Sequence, residues 1–70
     1  MIINRVSRLL GERHENISDL QRATGLRYGT VWAIAQDKTR RIEFETLDAL
    51  CKHFGVTPSE ILEYVPDPQL

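Results

Sequence analysis

The sequence predicts an all-α fold, a compact bundle of five short helices, on three observations. Apolar residues recur at three- and four-residue intervals, and no segment shows period-two alternation. Helix starts and stops fall at regular points: Asn16, Gly25, Gly55 and the run Thr57-Pro58-Ser59-Glu60. The 70 residues make one domain, near the lower size at which a core holds without staples, and the single cysteine rules out an internal disulfide.

The first helix is expected from about Ile3 to Arg13, burying Val6, Leu9 and Leu10, with His14 to Asn16 as a polar break. Asn16 is a good N-cap, and Asp19 places negative charge in the first turn, where the helix dipole favours it. The second helix then spans about Ile17 to Thr24, with Leu20 and Ala23 inward. Gly25 supplies a left-handed residue that ends it and permits a sharp turn, beneath which Leu26 can plug the gap. The third helix, about Tyr28 to Gln36, turns Val31, Ile34 and Ala35 inward and leaves Tyr28, Gly29, Thr30, Trp32, Ala33 and Gln36 outward. Asp37 to Arg41 form a polar, basic loop, with Ile42 as its anchor.

The fourth helix, about Phe44 to Phe54, buries Leu47, Leu50, Cys51 and Phe54 and stops at Gly55; Cys51 is expected to be a buried, reduced thiol. Thr57 as N-cap, Pro58 at the first helical position and Glu60 three after the cap form the pattern of a capping box. The fifth helix, about Pro58 to Tyr64, buries Ile61 and Leu62, and Pro66 and Pro68 prevent its continuation. Residues 1–65 are thus the domain and 66–70 a C-terminal tail.

Two short amphipathic helices on either side of Gly25 have the spacing of a helix-turn-helix, whose second helix can enter the major groove of DNA. No outward position of that second helix is acidic, so nothing on it repels phosphate. The net charge of −1 hides a division. Residues 1–41 carry eight Lys or Arg against four acids, a balance of +4, whereas residues 42–70 carry Lys52 against six acids, a balance of −5.

Other function classes find little support. His14 and His53 are isolated from any Cys or carboxylate at ligand spacing, so no metal is expected. There is no Ser-His-acid or Cys-His set, no Gly-rich phosphate loop and no paired inward carboxylates; the expectation is no enzyme and no cofactor. The N-terminus lacks a signal peptide and no stretch could span a bilayer, so no membrane partner is expected and the location is read as cytoplasmic and nucleoid-associated.

Leu20, Gly25, Leu26, Val31 and Ile34, followed by the block from Thr46 through Leu47, Phe54, Gly55, Pro58 and Leu62 to Pro66, resemble the lambda-repressor-like (Cro/Xre-type) helix-turn-helix family. The second block is similar to a subgroup of small single-domain regulators that end soon after a Leu-Glu-Tyr-Val-Pro-like segment. The resemblance spans roughly residues 3–65 and implies a sequence-specific regulator of transcription, a probable repressor in kind, that binds double-stranded DNA as a homodimer. It implies that Tyr28, Gly29, Thr30 and Trp32 face base edges or the groove wall, with Arg27 and Gln36 beside them. It also implies that Ser18 and the loop residues Lys38, Arg40 and Arg41 meet the phosphates.

Three residues depart from the family pattern. Arg27 stands where Ser usually caps the third helix, Gln21 replaces a small residue where the two helices pass closely, and Gly29 brings no side chain to a base. Trp32 admits three uses: packing in a DNA groove, meeting another protein, or folding back on its own surface. Arg22 is within possible reach of a phosphate, whereas Arg5 and Arg8 read as plain surface charge. The alternative function is a protein-protein interaction module, such as an antitoxin or adaptor, with Tyr28 and Trp32 as its hot spot.

Overall fold

A computed structural model describes residues 1–67. The order is β1 (Ile2–Asn4), α1 (Val6–Glu12), α2 (Ile17–Thr24), α3 (Tyr28–Ala35), α4 (Phe44–Phe54), α5 (Pro58–Ile61) and β2 (Leu62–Tyr64). Five helices form, as the apolar spacing predicts, and a two-stranded sheet is added to them.

That sheet corrects both ends of the helical reading. β1 and β2 pair antiparallel, with Ile2 opposite Tyr64, Ile3 opposite Glu63 and Asn4 opposite Leu62. The Asn4 side chain accepts from the Val6 amide at 2.8 Å, so α1 starts at Val6 and not at Ile3. α5 ends at Ile61, one turn short of the expected Tyr64, because the backbone at Leu62 turns extended and joins the sheet. Its expected capping box does not form: the Thr57 hydroxyl lies 3.0 Å from that of Ser59 and caps no amide. Pro58 at the helix start remains as expected. Of the expected tail, Pro66 and Asp67 are described and residues 68–70 lie outside the described part.

Eight side chains close the core: Val6, Leu10, Leu20, Val31, Ile34, Leu50, Phe54 and Ile61. Each helix supplies at least one, so removing any helix opens the core. Leu9, Ala35, Leu47, Cys51 and Leu62 are half-buried around it. Ala23 is exposed, against expectation; α2 instead turns Ile17, Leu20 and Thr24 toward its neighbours, and Leu20 alone is fully buried. Thr46, on the inner side of α4, is buried where the sequence suggested no core position.

Candidate nucleic-acid interface

The interface is built from the turn between α2 and α3 outward. α2 opens on a complete capping box, with the Asn16 side chain accepting from the Asp19 amide at 2.8 Å and Asp19 accepting from the Asn16 amide at 3.1 Å. It closes on Gly25 in the left-handed region (φ 73°), whose amide donates to the Gln21 carbonyl at 2.9 Å. Leu26 then packs against the core from below. Gln21, the residue that departs from the family pattern, donates its side-chain amide to the Leu26 carbonyl at 3.1 Å. It therefore ties the turn together where a small residue would leave room for close approach. Thr24 adds a hydroxyl bond to the Leu20 carbonyl at 2.7 Å.

Arg27 precedes α3 in extended conformation, and its side chain caps nothing. The first amides of α3 therefore have no side-chain acceptor, and an anion can satisfy them. Val31 and Ile34 fix the rotation of α3 by complete burial. That rotation leaves Gly29, Thr30 and Gln36 exposed, with Tyr28 and Trp32 presenting 52% and 42% of their surface one helical turn apart. Trp32 is neither swallowed by the core nor wholly free, which suits an aromatic edge offered to a partner.

Two shallow surface depressions flank α3. One is bordered by Ser18 at the start of α2 together with Tyr28 and Gln36. The other is bordered by Gly29, Thr30 and Ala33 together with Thr39, Arg41 and Glu43. α3 is thus a ridge between the start of α2 and the basic loop, and the expected contacts lie on that ridge or its flanks. The loop itself is shaped by Asp37 in the left-handed region (φ 57°), by the Lys38 amide on the Ala33 carbonyl at 2.8 Å, and by the Thr39 hydroxyl on the Arg41 carbonyl at 2.7 Å. Sequence reasoning missed Thr39; a threonine two residues before the basic pair is the only signal it leaves.

The ion pairs sort the basic residues. Five of the nine Lys and Arg side chains are held by acids: Arg5 by Glu63, Arg8 by Glu12, Arg13 by Glu15, Arg22 by Asp19 and Lys52 by Asp48. Arg22 sits 2.6 Å from Asp19, which also lowers the Asp19 pKa after the larger contribution of the Asn16 amide; it does not point at a phosphate. The remaining four, Arg27, Lys38, Arg40 and Arg41, form no ion pair among the described residues and are all exposed. All four lie at the ends of α3 or in the loop that follows it. Carboxylates near this surface are few: Glu43 borders one flank, Glu15 the other, and Asp37 begins the loop.

On the far side of the domain, Glu15 lies 2.6 Å from Arg13 and 2.7 Å from His53. Desolvation pushes its carboxyl up, but the bonds and charges of Arg13 and His53 together outweigh that and hold it below the ordinary value. Arg13 also covers the Phe54 ring at 5.6 Å. This cluster joins α1 to α4 and is structural, not part of the α3 surface. Among the described residues, no group of three or more His, Cys, Asp or Glu could hold a metal ion, and no helix is long and apolar enough to cross a membrane.

A two-helix motif of this shape, with a ridge helix free of acids and ringed by unpaired cations, is that of a DNA-binding domain. The family model described as the Cro/C1-type HTH DNA-binding domain matches residues 5–67, and the chain belongs to that family. It is also similar to an uncharacterized HTH-type transcriptional regulator of Bacillus subtilis (strain 168), YozG, with 29% identity over 66 residues, covering 94% of this chain and 79% of that protein.

Proposed function

We propose that this chain is a sequence-specific regulator of transcription, a repressor that occludes a promoter, working inside the cell on nucleoid DNA. Residues 1–65 are its working domain and 66–70 its tail. α3 enters the major groove, where Tyr28, Thr30, Trp32 and Gln36 meet base edges and the groove wall, and Gly29 lets the backbone come close. Ser18 and the open first turn of α2 receive one phosphate; Arg27, Lys38, Arg40 and Arg41 receive those of the flanking backbone. One α3 covers only half a useful site, so two copies act on a pseudo-palindrome with half-sites roughly 34 Å apart.

The observation that carries this reading is the sorting of the cations: those remote from α3 are neutralised by neighbouring acids, and the four around it are left open. An open cation beside a ridge helix has phosphate as its natural partner. The test is a binding-site selection on random duplexes, followed by titration of the winning site at several salt concentrations. A selected palindrome whose affinity falls steeply with salt, and less steeply for the Arg40→Ala/Arg41→Ala double variant, supports the reading. Salt-independent affinity, or none at low salt, overturns it.

The exposure of Tyr28 and Trp32 favours a second reading, in which the same ridge is the hot spot of a protein-protein contact, as in an antitoxin or adaptor. Absence of a DNA shift at low salt, with loss of a captured protein partner on Trp32→Ala, would reverse the order.

A further inference from the structure

We infer that the outer face of the β1–β2 sheet is where a second copy of this chain docks, by a reciprocal exchange of the Ile2 and Tyr64 side chains. The inference rests on the two-copy reading above and names the surface that would serve it. Ile2 and Tyr64 stand directly opposite in the sheet, so their side chains share one face; they are 64% and 68% exposed, and Met1 beside them is 57% exposed. Large apolar side chains left so open, side by side, mark a contact surface. The same face continues through Asn4 and Leu62 into a depression walled on its far side by Ile34 and Ile42. Its volume is about 230 Å³, below the roughly 300–1,000 Å³ of small-molecule sites. It suits an inserted side chain better than a free ligand.

Each copy thus offers an apolar knob and an apolar hollow on one face, the self-complementarity that a two-fold contact demands. The charges match as well. Arg40 and Arg41 border the hollow against one carboxylate, Asp37, whereas the strand that bears Tyr64 also carries Glu63 and is followed by Asp67. A two-fold axis at this face brings the basic border of each copy to the acidic strand of the other.

Operator geometry points to the same face. The Asn4 side-chain amide donates to the Ile34 carbonyl at 2.6 Å, so the sheet abuts the C-terminal end of α3. Half-sites about 34 Å apart put the middle of each α3 about 17 Å from the axis. Half the length of α3, about 6 Å, followed by one layer spacing of about 10 Å, spans that distance.

The test is sedimentation equilibrium of the full chain, unmodified and as Ile2→Lys and Tyr64→Lys, with thermal melts to confirm folding. Neither side chain is in the core, so both variants should melt as the parent does. A dimer that each lysine weakens by at least about tenfold in Kd supports the inference. On DNA, the variants should keep single half-site binding and its salt dependence and lose cooperative binding to the paired site. As a check free of substitutions, amide shifts on dilution of the parent should concentrate at residues 2–4 and 62–64. A parent that stays monomeric and binds paired sites without cooperativity overturns the inference. So do dilution shifts confined to other elements, or lysine variants that dimerise as the parent does. A dimer dispersed by these lysines but without DNA affinity at low salt upholds the surface and removes the DNA reading instead.

Discussion

At the scale of single residues, two glycines make opposite demands on the backbone. Gly25 adopts a φ of 73°, which a side chain opposes, although a Cβ there would touch nothing within 4 Å. Gly25→Ala is therefore expected to destabilise by roughly 1–2 kcal/mol through conformation alone. Gly29 lies in an ordinary helix turn, also with open space where a Cβ would stand. Gly29→Ala should gain about 1 kcal/mol of helix propensity, raising Tm by about 4–8 °C. Thermal melts of the two variants should move in opposite directions from the parent. The sequence revealed the first glycine by its place between two apolar stripes. It did not reveal the bond from Gln21 to the Leu26 carbonyl, since a long polar side chain at a crossing can either leave the interface or turn inward. Nor did it reveal that Phe44, at the first position of α4, would stand 90% exposed.

At the scale of elements, helices were legible where a 3.6-residue period had room to repeat. α3 and α4 run from Tyr28 and from Phe44 as the spacing predicts, and burial of Leu50 and Phe54 follows from it. The strands were not legible because three residues cannot display an alternation, and their partners lie some sixty positions apart. The cluster that joins α1 to α4 was hidden for the same reason: Glu15 and His53 are 38 positions apart in sequence. That cluster carries a pH dependence with a definite sign. The Glu15 carboxyl is held below its ordinary value in the folded state, so its contribution to stability is present above about pH 4.5 and is lost as pH falls below that. Urea melts between pH 3 and 6 should show Glu15→Gln losing less stability on acidification than the parent. Truncating Leu50, which is fully buried on α4, has a larger effect at every pH: Leu50→Ala should cost about 2–5 kcal/mol.

At the scale of the whole molecule, the net charge of −1 says little about partners, because acids on the chain's own surface neutralise only some of its cations. The sequence showed the basic half and the acidic half; only the folded arrangement shows which arginines are already occupied. A pair of copies brings eight open cations to one duplex. If each releases a counterion, the logarithm of affinity should fall against the logarithm of salt with a slope of about −7. Replacing Arg40 and Arg41 by Ala in both copies should cut that slope roughly in half. Fluorescence anisotropy from 50 to 200 mM salt checks both figures.

The antiparallel ladder that joins Ile2–Asn4 to Leu62–Tyr64 imposes an order on biosynthesis. The earliest segment to leave the ribosome must wait, unpartnered, for one of the latest. The helices between them can gather while the nascent chain is still growing, but the last seam closes only once its second side has emerged from the exit tunnel.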